Sequence, residues 1–268
     1  MNQPENPQSV DNSLFGRLRF VLVETSSGGN VGAAARALKN MGFSDLVLVN
    51  PRFPDVLRHE QAIAFASGAQ DVLQSARIVG GIDEALQDCN YAAAVSARLR
   101  EFSPPIVAPR ELGVQLAGDG SLRAALVFGS ERYGLPNAIV ERCNVLINIP
   151  ADPGYSSLNL AQAIQVLAYE CRMAATAVAE DGAASARIGR DPQGSPIGFQ
   201  GEAAGLAQIE GMFAHLEQAL TAIEFLSPDN PRKLMPRLKR LFARTQLETE
   251  EVNILRGIAR QILATRAK

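Results

Sequence analysis

Three short stretches, far apart in the chain, set polar side chains beside glycines or prolines. The first is Glu24-Thr-Ser-Ser-Gly-Gly-Asn-Val-Gly32, leading toward Arg36. The second, Phe128-Gly-Ser-Glu-Arg-Tyr-Gly-Leu-Pro136, places Glu131 and Arg132 between two glycines. The third, Ile149-Pro-Ala-Asp-Pro-Gly-Tyr-Ser-Ser-Leu-Asn159, ends in Ser156, Ser157 and Asn159. Glycines let a backbone approach a ligand, and the prolines of the third stretch make a stiff loop. Such residues suit binding through amides, hydroxyls and the guanidinium groups of Arg36 and Arg132. They do not suit a metal site or a hydrolase triad, because the only histidines are His59 and His215 and no ligand cluster forms. The first stretch also fails the GxGxxG and P-loop templates, which disfavours a Rossmann-type oxidoreductase. Each stretch has a plainer reading too. Asn30 can cap a helix with Arg36 as a surface charge, Glu131 and Arg132 can face water, and one serine can cap the helix that follows.

The elements that would carry these stretches alternate. Leu18–Val23 (LRFVLV) is a near-continuous apolar run, as in a strand covered on both faces, and Asn30–Met41 has helical spacing. Strand patterns recur at Asp45–Val49, Arg77–Val79, Tyr91–Val95, Arg123–Phe128 and Val145–Ile149. Helical patterns fall at Gln61–Ala66, Ile82–Gln87, from Pro109 to about Leu116, at Asn137–Arg142 and at Leu158–Thr176. That alternation predicts an α/β domain with a mostly parallel sheet over residues 17–177. Each polar stretch follows a strand, where open α/β sheets bind ligands. Residues 1–16 lack an apolar signal core and read as a flexible tail. Residues 178–204, rich in Gly, Ala, Ser and Pro, read as a linker. Residues 205–268 read as a small all-helical domain built from Leu206–Ile223, a basic segment opened by Ser227 and Pro228, and Glu248–Leu263.

The 268 residues are 47% hydrophobic and 20% charged, ordinary for a globular chain. No long uncharged apolar run occurs, which excludes a membrane-spanning helix. The three cysteines, Cys89, Cys143 and Cys171, are not in CxxC pairs and read as small buried residues of a reducing, cytoplasmic protein. A net charge of −2 argues against nucleic acid, but its distribution argues the other way. Between Pro231 and Leu247 lie Arg232, Lys233, Arg237, Lys239, Arg240 and Arg244, with no Asp or Glu. Such a run is either a solvated helix face or a grip on phosphates.

Taken together, N-x-G-x-x-x-R (Asn30, Gly32, Arg36), F-G-x-E-x-x-G-L (Phe128, Gly129, Glu131, Gly134, Leu135) and S-S-L-N-x-A (Ser156 to Asn159, Ala161) resemble, in order and spacing, the three motifs of the SPOUT methyltransferase superfamily. Longer segments (VETSSGGNVGAAARALKNMGF, SARLR, LVFGSERYGLPN, YSSLNLAQAIQVLAYE, HLEQAL, RLKRLFAR and ETEEVNILRGI) are similar to the bacterial enzymes that methylate the ribose 2′-hydroxyl of cytidine or uridine 32 in tRNA. Only the tail and the linker fall outside. The resemblance implies a trefoil knot formed after Arg123, a homodimer, and S-adenosylmethionine as cofactor, with no metal. Carried over position by position, it implies a cofactor site at Val95, Ser96, Ala97, Gly129, Leu135, Ile149, Ser156, Ser157 and Leu158. It puts Arg36 at the reacting hydroxyl, and the chemistry of the residues adds Arg36 holding the adjacent phosphate, Glu131 able to fix an arginine, and Ser156 and Asn159 orienting the nucleophile as the catalytic set. It places tRNA contacts at Asn30, Arg36 and Arg98, and, on the basic segment, at Arg237, Lys239, Arg240 and Arg244. Methylation of another tRNA or rRNA position, or a non-catalytic RNA-binding role, stands as the alternative.

Overall fold

A computed structural model of the chain describes residues 13–98, 103–181, 201–227 and 233–266. Residues 1–12 of the expected tail lie outside the described residues. So do Leu99 and Arg100 of SARLR, residues 182–200 of the expected linker, and Pro228 to Arg232 of the basic segment.

The strands are β1 (Leu18–Val23), β2 (Leu46–Val49), β3 (Arg77–Val79), β4 (Tyr91–Val95), β5 (Ile106–Val107), β6 (Ala124–Phe128) and β7 (Val145–Ile147). They form one seven-stranded sheet in the order β3-β2-β1-β6-β4-β7-β5, and every adjacent pair is parallel. The helices of this part are α1 (Leu14–Arg17), α2 (Gly28–Met41), α3 (Glu60–Ala66), α4 (Gln70–Ser75), α5 (Ile82–Ala85), α6 (Pro109–Gly118), α7 (Asn137–Val140) and α8 (Leu160–Asp181). Three more follow: α9 (Leu206–Ala222), α10 (Leu234–Phe242) and α11 (Thr249–Arg266).

The near-continuous apolar runs are explained by a sheet buried on both faces. Side chains alternate across a strand. Phe20 and Leu22 therefore point with Leu46, Leu48, Leu126 and Phe128 into one apolar layer, beside Val31 and Leu38 of α2, Leu112 of α6 and Ile164 of α8. Val21 and Val23 point with Val47, Val49, Ala94 and Val127 into the other, beside Ala85 and Leu86 near α5 and Val140 of α7. That second layer is closed by Leu206, the first residue of α9. The C-terminal helices carry a third small core of Met212, Phe213, Leu247 and Val252.

The expected elements differ from the observed ones mainly at their ends, where pattern is weakest. α2 begins at Gly28 because Ser27 caps it, its side chain accepting from the Asn30 amide. Asn30 is therefore not the cap. β5 and α4 carry too few residues to show a period and were not expected from the pattern. α1 lies inside the stretch read as tail. Leu14 is buried, Phe15 packs on Phe43, and Arg17 donates to the Leu122 carbonyl at 2.7 Å. Gly32, one of the loop glycines that could let the backbone approach a ligand, serves packing instead. A Cβ there would overlap the Ala62 backbone of α3, so this glycine lets two helices meet closely.

Candidate active site

The chain leaves β1 through Glu24, held at φ 52°, a left-handed conformation that few non-glycine residues adopt. That turn sends Thr25 and Ser26 across the carboxyl end of the sheet. There they meet the loop after β6. Glu131 accepts from Thr25 Oγ1 at 3.1 Å, from the Ser26 amide at 3.0 Å and hydroxyl at 2.9 Å, and from Asn30 Nδ2 at 2.8 Å. Four donors fill the sites a carboxylate offers. Glu131 therefore does not hold an arginine within this chain, contrary to the sequence-based expectation, because the first loop reaches it first. Burial alone would raise the Glu131 carboxyl. The hydrogen bonds from Asn30 and Ser26 outweigh burial and hold it below the ordinary carboxylate value.

The third loop joins through Asn159. Its Oδ1 accepts from the Ala161 and Gln162 amides at 2.9 and 3.4 Å, which makes Asn159, rather than a serine, the cap of α8. Its Nδ2 donates to Asn30 Oδ1 at 3.0 Å. Asn30 thus bridges all three loops, with its amide nitrogen on Glu131 and its oxygen on Asn159. Capping by Asn159 leaves the exposed Ser156 and Ser157 hydroxyls unused within the helix end.

Beside this junction lies a cleft of about 430 Å³. Its walls include the sequence-expected Val95, Ser96, Ala97, Arg98, Gly129, Glu131, Ile149, Ser156, Ser157 and Leu158. They also include Arg132, given no role by the sequence beyond facing water, and Ser130 and Tyr133, which nothing in the sequence distinguishes from solvated loop residues. The size lies in the ~300–1,000 Å³ range of small-molecule sites. Val95, Ile149, Leu158 and Ala163 offer an apolar surface, and the serines and loop backbone offer donors and acceptors. A Cβ on Gly129 would overlap Gly134 and Leu135, so the second loop can fold back over its own start only with glycine there. Asn148, also unforeseen, steadies the wall by donating from Nδ2 to the Ser96 carbonyl at 3.3 Å.

Other expected residues fall elsewhere. Leu135 is buried in the second apolar layer and does not line the cleft. Arg36 lies on the exposed face of α2, outside the cleft walls, and makes no hydrogen bond or ion pair with any described residue. Arg237 and Arg240 on α10, and Arg244 just past its end, are exposed. Lys239 turns the other way, its Nζ 3.5 Å from Glu210 Oε2 and 5.6 Å from the centre of the Phe213 ring. Cys89, Cys143 and Cys171 are buried, and burial pushes the Cys143 and Cys171 thiols up to about 12. Among the described residues no helix is long and apolar enough to cross a membrane, and no three His, Cys, Asp or Glu side chains cluster as metal ligands.

Comparison with known proteins covers nearly the whole chain. The SpoU rRNA Methylase family matches residues 17–169, and the C-terminal domain of the tRNA methyltransferase TrmJ matches residues 207–268. A tRNA (cytidine/uridine-2′-O-)-methyltransferase TrmJ from Klebsiella pneumoniae subsp. pneumoniae is 44% identical over 251 residues, covering 93% of this chain and 97% of the relative. Its counterpart from Escherichia coli O6:K15:H31 is also 44% identical, over 93% of this chain and 96% of that one. Among solved structures, TrmJ from Z. mobilis ZM4 superposes with a TM-score of 0.72 at 30% identity, covering 91% of this chain and 98% of that chain. A probable methylase family protein from Haemophilus influenzae Rd KW20 superposes with a TM-score of 0.58 at 35% identity, over 93% and 97%.

Proposed function

The chain belongs to the SpoU methylase family and carries a TrmJ-type C-terminal domain, and from that premise we propose that it methylates the ribose 2′-hydroxyl of cytidine or uridine 32 in the tRNA anticodon loop. The observation that carries this reading is the junction at Asn30, which draws the three loops together beside the cleft. The work is cytoplasmic, as tRNA modification in bacteria requires.

The cleft suits S-adenosylmethionine. Apolar Ile149 and Leu158 face a space large enough for a nucleoside, and the hydroxyls of Ser156 and Ser157 can read its edges. The second loop, folded tight over Gly129, leaves backbone groups at the wall where a side chain would block them. When bound, that cofactor supplies an electrophilic methyl group on a sulfonium, so neither a metal nor a covalent enzyme intermediate is needed.

The chain's own residues then have to orient the ribose and manage its proton. Arg36 offers a guanidinium, whose planar fork of donors matches a phosphate. It therefore holds the phosphate next to the reacting ribose and lowers the pKa of the hydroxyl, with that phosphate as proton acceptor. Ser156, beside the cleft, orients the ribose oxygen. Glu131 and Asn159 act by fixing Asn30 and the two loops that carry Ser26 and Ser156. Arg98, Arg237, Arg240 and Arg244 meet tRNA phosphates, and Lys239 sits behind them. Arg36 stands outside the cleft of its own chain, which supports a dimer in which one protomer's Arg36 serves its partner's cleft. Exposed Tyr169 and Met173 of α8, beside Val114 of α6, supply an apolar face for that dimer. The knot implied by the motifs belongs to the same reading. It is supported by the places of β6, between β1 and β4, and β7, between β4 and β5.

The test is incubation of purified protein with tRNA and S-adenosylmethionine, followed by mass spectrometry of the nucleosides. The expected products are 2′-O-methylcytidine and 2′-O-methyluridine mapped to position 32. A methyl group on a base, or on no nucleoside, would end this reading. Light scattering gives the oligomeric state.

A further inference from the structure

The C-terminal helices meet the sheet through a small, mixed seam. Leu206 plugs the second apolar layer, and its amide donates to the Cys89 carbonyl at 3.1 Å. A chain of alternating charges crosses the same seam. Arg142, between α7 and β7, donates to Asp83 of α5. Its Nε stands 3.4 Å from Glu210 Oε1 of α9, and Glu210 Oε2 lies 3.5 Å from Lys239 Nζ of α10. Arg142 Nε has no aligned hydrogen-bond acceptor, so it holds Glu210 through charge alone. The Arg142, Glu210 and Lys239 side chains are 17%, 30% and 21% exposed, enough burial for water to screen them only in part.

The polarity of α10 gives this chain of charges a consequence. Lys239 faces inward to Glu210, while Arg237 and Arg240 stand at i and i+3 on the exposed side of the helix, with Arg244 exposed just past its end. Glu210 thus ties the back of the arginine stripe to the turn that leads into β7. Units joined by a seam this small move relative to one another by default. Opposed charges across a seam set orientation more than they add affinity.

We propose that Glu210, gripped from one side by Arg142 and from the other by Lys239, is a positioning residue that fixes how the arginines of α10 are presented to RNA relative to the methyl-transfer cleft. The inference rests on the tRNA-methylation reading for its substrate, but not for its geometry.

The experiment uses the full chain in four forms: wild type, Glu210→Gln, Glu210→Asp and Arg142→Gln. Spin labels on Gln87→Cys and Leu241→Cys, both exposed positions, report the distance between the sheet and α10, the native cysteines being buried. The expected result for Glu210→Gln is a broadened distance distribution, a rise in KM for tRNA of about tenfold with kcat nearly kept, and unchanged S-adenosylmethionine affinity and Tm. Glu210→Asp, which keeps a carboxylate between Arg142 and Lys239, retains both distance and KM, while Arg142→Gln broadens the distance as Glu210→Gln does; a merely structural residue would show no such dependence on charge. An unbroadened distribution in Glu210→Gln overturns the proposal, as does broadening with KM unchanged. Failure of the wild type to methylate tRNA brings down the functional reading instead, and the distances still decide whether the charges fix the helix.

Discussion

Asn159 Nδ2 donates to Asn30 Oδ1 across 3.0 Å, joining side chains 129 positions apart, and Asn30 passes the connection on to Glu131 at 2.8 Å. One amide side chain thus holds three loops, because it donates from its nitrogen and accepts at its oxygen.

Asn30→Asp removes the donor and places a second carboxylate against Glu131. Like charges at that distance cannot both ionise comfortably, so the first loop parts from the second. Methylation is expected to fall by about 100-fold or more, the cost of misplacing a reacting group by about an ångström. Single-turnover assays at saturating cofactor measure it, and activity within a few-fold of wild type would refute the bridging role.

The Glu131 carboxyl is held low by its donors against the opposing effect of burial. A group whose folded pKa lies below its unfolded value adds stability above the unfolded value and loses it as pH falls through the folded one. The Tm gap between wild type and Glu131→Gln should therefore be widest at neutral pH and close as the solution is acidified below the ordinary carboxylate range. A gap that widens toward acid pH would reverse the assignment.

Arg36→Ala should lower kcat by about 100-fold or more, in the range lost with a charge-stabilising donor, with cofactor affinity unaltered because Arg36 lies outside the cleft. Arg36→Lys recovers little, since a point charge does not replace a planar fork. Calorimetry with S-adenosylmethionine, beside the kinetic assay, separates loss of chemistry from loss of binding.

Gly129→Ala drives a methyl group into the backbone of Gly134 and Leu135, which cannot yield as a flexible side chain would. Overpacking of this kind costs about 1–3 kcal/mol. The second loop should open, the Tm fall and cofactor affinity drop. Thermal denaturation with and without S-adenosylmethionine checks both effects.

Neutralising Arg237, Arg240 or Arg244 should weaken tRNA binding and reduce the slope of log affinity against log salt by about one for each phosphate that no longer meets an arginine. Lys239→Gln should weaken binding without altering the slope, because its charge is spent on Glu210. Filter binding over a salt series distinguishes the two.

Much of this was legible in the sequence. The apolar runs LRFVLV and RAALVF announced strands covered on both faces, and glycine and proline punctuation placed the polar loops at strand ends. Local pattern suffices there because strand alternation, helix period and loop chemistry are short-range properties. What tertiary structure decided was how those polar groups are used. Ser27 displaced Asn30 as the cap of α2, Asn159 displaced the serines as the cap of α8, and Glu131 took donors from the first loop instead of an arginine. Lys239 turned away from its arginine neighbours to Glu210, and Leu135 went to the core. Each outcome depends on which of several competent partners comes within about 3 Å. That is set by the parallel sheet and the return path of the chain, neither of which leaves a period in the residues it brings together.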